Sequence, residues 1–331
     1  MIHSFTSSTK RATRNRLLLV LFSIAAIVTA SASAKDRSFD EIIEPIAVTD
    51  RVFYLYGSLE NRTPINRGLN ANLGFVVTDD GVVLIDTGPS HLAAAEIQSA
   101  IEAATGQPIR LIVNLGSQDH RWLGNDFFAE QGLEIVALKR TADTQANQGD
   151  GILTRMAAGI GDDELAGTRP LPATRPVDAE QHDFELGNVA FSLRFAGDAH
   201  FPGDAFLYLP DESVVFTGDI VYTERMLGIH SFTNPVGQLA AFRAIESLEP
   251  QHVVPGHGRA TNLDEARRDT GNYLATVIKE VRAAIDDWRP IDEVVEDLSD
   301  FAAFRHLRHY DDWHRRNVHA TYLFLEANPD E

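Results

Sequence analysis

Between residues 51 and 138 the apolar positions come in short runs, each closed by glycine, aspartate or asparagine. Arg51-Val-Phe-Tyr-Leu-Tyr56, Leu73-Gly-Phe-Val-Val-Thr78, Val82-Val-Leu-Ile-Asp86, Ile109-Arg-Leu-Ile-Val113 and Leu133-Glu-Ile-Val-Ala-Leu138 are rich in β-branched and aromatic residues, which predicts strands. Asp79-Asp80-Gly81 joins the second and third as a hairpin. Helices are expected from about His91 to Ala104 and again from Asp119, the latter turning Trp122, Phe127 and Phe128 toward the core. Strand and helix therefore alternate as in βαβ units. Gly57 to Asn72 is a loop with Pro64, Gly68 and four asparagines, long enough to be functional.

The second half repeats the pattern more loosely. A hairpin is expected over Gly187-Asn188, then strands Ala205 to Leu209 and Val214 to Thr217, and later the short apolar run His252-Val-Val254. Asn234-Pro235 starts a helix, with asparagine as cap and proline in the first turn. Residues 140 to 175 read as helical, then irregular, and receive no chemistry. From Asp264 the chain is helical until Pro290. Beyond it Leu307, Tyr310, Trp313, Val318, Tyr322 and Leu325 recur at helical spacing. That stripe suits a helix packed on the body of the protein, or a face for a homo-oligomer.

Composition changes the picture at the N-terminus. Residues 1–34 contain no acid, carry Lys10, Arg11, Arg14 and Arg16, turn apolar from Leu17 to Val28, and end in Ala32-Ser33-Ala34. This order is that of a secretory signal peptide. The apolar run is shorter than the roughly 20 residues of a spanning helix, so no stable membrane insertion is expected, a retained anchor being the alternative. The mature chain would then be periplasmic or secreted. Losing those four cations moves the net charge from −19 to −23. Such acidity repels phosphate backbones and argues against nucleic-acid partners. With no cysteine, thiolate chemistry is excluded, and so is any disulfide.

Five polar elements sit where strands end: Asp86-Thr-Gly, Asp119-His120, His200 before Pro202-Gly-Asp204, Gly218-Asp219, and Gly256-His257-Gly. In this order they resemble the metallo-β-lactamase superfamily. That resemblance implies an α/β fold, the αβ/βα sandwich, over residues 35–265, with a C-terminal helical extension over 266–331. The family's His-x-His-x-Asp-His motif is degenerate here, since Leu115 and Ser117 stand at its first two histidine positions. Tyr56-Gly-Ser58, Ile85-Asp-Thr-Gly-Pro-Ser90 and Leu123-Gly-Asn125 are similar to a periplasmic branch, the zinc metallohydrolases associated with quinoprotein systems.

The resemblance implies two metal sites with unequal survival. The first keeps only His200. The second keeps Asp119, His120 and His257, with Asp219 as the carboxylate shared between sites, so one metal per chain is expected. Imidazoles and carboxylates suit Zn²⁺ well and Fe²⁺ or Mn²⁺ tolerably. Asp86 supports the ligands from behind, caps the following helix, or does both. Ser117 and Gln118 offer oxygens that would complete only a weak second site. The function implied is a secreted metal-dependent hydrolase attacking an amide, ester, lactone or thioester in a small-molecule substrate. Asp119 would orient the water and His200 would carry a proton or stabilise an oxyanion. His230 is an outside candidate for a ligand or acid–base role. The alternative is a noncatalytic binding or accessory protein with a structural metal.

Overall fold

Side-chain alternation along the strands decides the layers. In the computed structural model, which describes Met1 and residues 36–149 and 151–331, the apolar runs form two sheets. The first has seven strands in sequential order: β1 (Pro45–Ala47), β2 (Val52–Leu55), β3 (Leu73–Thr78), β4 (Gly81–Ile85), β5 (Ile109–Val113), β6 (Glu134–Leu138) and β7 (Arg175–Val177). It is antiparallel through β4 and parallel from there on. The second comprises β8 (Gln181–Leu186), β9 (Val189–Arg194), β10 (Phe206–Leu209), β11 (Val214–Phe216) and β12 (His252–Val254), in the order β12-β11-β10-β9-β8. The signal segment expected over residues 1–34 lies, Met1 apart, outside the described residues.

Because side chains alternate with period two, each strand serves two layers. Val83 and Ile85 of β4 point to the space between the sheets, where they meet Phe191, Leu207, Val214 and Phe216. Val82 and Leu84 point the other way, onto Ala93, Ile97 and Ile101 of the helix His91–Thr105. The second sheet buries Phe206, Val215 and Val253 beneath Ala241, Phe242 and Ile245 of the helix Pro235–Glu246. The result is helix, sheet, sheet, helix, as the sequence implied. Each fully buried aliphatic or aromatic side chain contributes about 1.5–3 kcal/mol, so these layers outweigh any exposed ion pair.

Several local expectations hold. Asn234 caps its helix through a 2.7 Å bond from Gly237 N–H to its side-chain oxygen, with Pro235 in the first turn. Two expectations need correction. The helix after Asp86 is capped by Ser90, whose oxygen accepts from Ala93 N–H, while the Asp86 carboxylate is engaged elsewhere. Strands β1 and β7 are not among the expected strands, because three residues are too few to show alternation.

The terminal stripe is buried within the chain. Tyr310, Val318, Tyr322 and Leu325 pack with Tyr273, Val277 and Val281 of the helix Asn272–Asp286, and with Tyr222 and Leu227. Residues 36–331 thereby form one compact unit. Among the described residues no helix is long and apolar enough to cross a membrane.

Candidate metal centre

Register brings the polar elements together. Ile85 pairs with Val113 on parallel β4 and β5, and Phe216 pairs with Val254 on parallel β11 and β12. The residues that follow these strands therefore emerge at one edge of the sandwich. Asp86 leaves β4 with φ 61°, a left-handed conformation that aspartate tolerates better than most residues. Its backbone N–H bonds Val113 O, and its Oδ1 accepts from Leu115 N–H at 2.9 Å. Across the gap, Asn72 braces the β12 loop by donating to Pro255 O and Gly258 O while accepting from Gly57 N–H.

His120, Asp219 and His257 converge, all buried, with one potential ligand atom from each lying within 4.8 Å of the others. His120 Nε2 lies 3.3 Å from Asp219 Oδ2, and His257 Nε2 lies 3.2 Å from Asp219 Oδ1. The second contact lacks hydrogen-bond geometry, and neither ring nitrogen of His257 has a partner. Two unpartnered imidazole nitrogens in a buried site are costly unless something else engages them. A divalent cation would engage one of them, and with His120 and Asp219 beside it this donor set fits the metal that the fold implies. The stacked ring of Tyr222, 4.3 Å away, fixes the plane of His257.

Asp119 sits at the mouth, outside that trio, and its carboxylate is paired with Arg62 from the Gly57–Asn72 loop. The same guanidinium lies 3.4 Å from His120 Nδ1. His200 is buried beside Tyr222 and His230, at centroid distances of 5.5 and 5.3 Å, and its Nδ1 has no partner. The structure thus brings five of the expected residues to one edge, with three of them within mutual ligand distance. The buried Ser117 Oγ and the Gln118 Oε1 are unpartnered.

Sequence reasoning missed the cation at the centre. Arg121, one residue after His120, is 1% exposed. It grips Asp219 through Nε–Oδ2 at 2.9 Å and Nη2–Oδ1 at 2.5 Å, and its Nη1 reaches Asp86 Oδ2 at 2.6 Å. The available signal was indirect: two buried carboxylates, with the first-site histidines gone, need a positive charge from somewhere. Sequence reasoning singled out the Gly57–Asn72 loop and His230 but missed the arginines of the cleft wall. A cavity of ≈ 330 Å³ beside the trio is lined by Arg62, Arg155, Arg225, His230 and Trp313 among others. The tail closes it: Trp313 packs against Gly228, and Glu60 of the loop is held by Arg308, with His309 Nε2 3.3 Å from its carboxylate. Glu60 O in turn accepts from Arg225.

Burial sets the protonation states. It pushes His257 down to about 4, His200 to about 3 and His120 well below the usual imidazole range, so all three are neutral at pH 7. Burial also pushes Asp219 up, but Arg121 outweighs it and holds the carboxyl well below its ordinary range. Asp86 is raised to about 6 by burial despite Arg121, and buried Asp204 is raised well above its ordinary value.

The metal-free protein should therefore lose stability as pH falls from about 6.5 toward 4. In that window the unfolded chain protonates His120, His200, His230, His257 and His314, whose folded forms resist it. Asp86 and Asp204 work in the opposite direction, since the folded state keeps protons that the unfolded chain releases above 3.8. With His182, also lowered by burial, six imidazoles against two carboxyls fix the sign. Denaturant midpoints at pH 7, 6 and 5 check it, and a flat or rising series would overturn it.

A two-sheet sandwich with a His–Asp–His cluster at its strand ends defines a class, and comparison agrees. Residues 119–257 match the family model described as the metallo-beta-lactamase superfamily. It is similar to the solved metallo-beta-lactamase from Pontibacter korlensis at 22% identity and TM-score 0.55, covering 70% of this chain and 98% of that one. DIM-1 metallo-beta-lactamase gives 16% identity and TM-score 0.54, covering 70% of this chain and 96% of that one. Among curated proteins it is 26% identical over 213 residues to the 2,4-dinitroanisole O-demethylase subunit alpha of Nocardioides sp. (strain JS1661). That match spans 63% of this chain and 60% of the relative.

Proposed function

We propose that this chain is a hydrolase of small molecules that uses one divalent cation held by His120, Asp219 and His257. The observation that carries the reading is that cluster itself: three buried ligand atoms within 4.8 Å, with both nitrogens of one imidazole unpartnered. Zn²⁺ suits two imidazoles and a carboxylate, with Fe²⁺ or Mn²⁺ as alternatives. Such a cation supplies Lewis acidity and makes a nearby water acidic near pH 7.

The chain's own residues do the rest. His120 and His257, already neutral, present lone pairs without first losing a proton. Asp219 stays ionised because Arg121 grips it. Asp119, at the mouth and tethered by Arg62, is placed to orient water and accept its proton. Neutral His200 has too low a pKa to take a proton at pH 7, which leaves hydrogen-bond donation to a developing oxyanion as its role. His230 lines the cleft wall beside it.

The substrate is a carboxylic or thioester, an amide or a lactone, and the cationic wall of Arg62, Arg155 and Arg225 favours one with an anionic group. The relative's name adds O-methyl compounds to the screen, and its being a subunit makes a partner chain worth supplying. In keeping with the leader-like first 34 residues, the working compartment is the periplasm or the exterior. A second reading, a noncatalytic accessory protein, has one observation in its favour: Arg121 and Arg62 already balance Asp219 and Asp119 without a metal.

Elemental analysis of protein purified without chelator tests this, alongside His120→Ala and His257→Ala. About one zinc, iron or manganese per chain, lost in both variants, is the expected result. No metal even after supplementation would sink the hydrolase and leave the accessory protein.

A further inference from the structure

The buried guanidinium of Arg121 is the least expected group in the centre, and its surroundings are shaped around it. A methyl group at Gly256 would clash with Gly218 O and sit 2.7 Å from both Nη2 and Asp219 Oδ1, and one at Gly116 would sit 2.9 Å from Asp204 Oδ1 and 3.1 Å from Cδ. Both glycines lie on loops that follow strands of the two sheets. A side chain at either position would push into the volume the arginine fills. Gly116 lies between Leu115 and Ser117, the two positions where the resemblance places first-site histidines. Leu115 has joined the core between the sheets, and Ser117 Oγ has no partner. On that side of Asp219, the group that meets the carboxylate is therefore a side chain of the protein.

Charge makes the same point. Asp86 and Asp219 are both buried, and each bonds Arg121. Without a cation between them, two buried carboxylates repel and at least one must take up a proton. An arginine satisfies both because its fork presents several N–H donors in one plane, which an ammonium cannot do.

We propose that Arg121 is a resident cation standing in for the first metal, so that the centre admits a single divalent ion and Asp219 is held in place before that ion binds. Arg121 is thus a positioning residue acting through Asp219. Its consequence for metal uptake rests on the hydrolase reading above, whereas its charge role in the fold does not. Each Asp219 oxygen accepts one bond from the guanidinium, leaving a lone pair on each toward His120 and His257. Replacing two histidines by leucine and serine, and a metal by an arginine, removes one exchangeable ion while retaining a positive charge.

The test combines zinc titration of the full metal-free chain by calorimetry with thermal unfolding, for the parent, Arg121→Gln and Arg121→Lys. The parent should bind one zinc ion. Metal-free Arg121→Gln should unfold on the order of 10 °C lower, the scale expected for a buried charge left unpaired. Saturating zinc should raise that variant's midpoint by more degrees than it raises the parent's, because the ion then supplies the missing charge. Arg121→Lys should fall between the two, since it restores charge but not the fork.

Two zinc ions on the parent would overturn the proposal. So would an unchanged midpoint in metal-free Arg121→Gln, or a Lys variant damaged as badly as Gln, which would make the role one of shape alone. If Arg121→Gln fails to fold, the Lys variant still decides between charge and shape. If the parent binds no zinc, the hydrolase reading fails, while the metal-free comparison of Gln with Lys still judges the charge role.

Discussion

Asp219→Asn should abolish metal binding and destabilise the fold by about 3–5 kcal/mol, the usual cost of breaking a buried ion pair by removing one partner. Two effects meet at this carboxylate. It is the one charged member of the ligand cluster, so its loss leaves two imidazoles, too few to hold a divalent ion firmly. It also carries most of the contacts of Arg121, with bonds at 2.9 and 2.5 Å. Asparagine keeps the shape but offers one acceptor and an NH₂ group that faces the guanidinium's own donors. Chemical denaturation and elemental analysis of the same preparation read both effects. A stability within about 1 kcal/mol of the parent, the range of an exposed pair, would show that the buried pair is not a main support of the fold.

Asp119→Asn should separate chemistry from metal binding. Its carboxylate is engaged by Arg62 and lies outside the His120–Asp219–His257 trio. Turnover of a responsive ester or lactone should fall by about 10²–10⁴, the range for losing a positioned acid–base group, while metal content stays near that of the parent. Loss of metal along with turnover would make Asp119 a ligand. Unchanged turnover would exclude it from both roles.

The fold was legible because periodicity and punctuation are local. Leu73 to Asp86 shows its hairpin in the residues themselves, and Asn234-Pro235 writes its helix start into two positions. Candidate ligands were legible for a different reason: the family resemblance marked them, and strand ends that align in register bring them to one edge. Arg121, Arg62 and Arg225 were not legible. An arginine's partner is set by where a long side chain reaches in three dimensions, and here the partners of Arg121 lie 35 and 98 positions away. Nothing around Arg121 in the sequence distinguishes it from a surface arginine at the start of a helix. The tail's stripe was visible but its destination was not, because helical spacing shows that a face is buried without naming what covers it.

The tie between Glu60 and the tail has an evolutionary side. Arg308, with His309 near the same carboxylate, holds the loop that carries Arg62, and the same Glu60 steadies Arg225 through its carbonyl, while Trp313 furnishes part of the cleft wall. Loop and tail therefore behave as one unit laid over the floor that carries the His–Asp–His cluster. A recombination that exchanged the segment after Pro290 would re-tailor what enters, provided the new tail still packed on Tyr222 and Leu227 as this one does. Divergence in substrate choice should accordingly accumulate as paired changes in these two distant stretches, while the strand ends beneath them stay still.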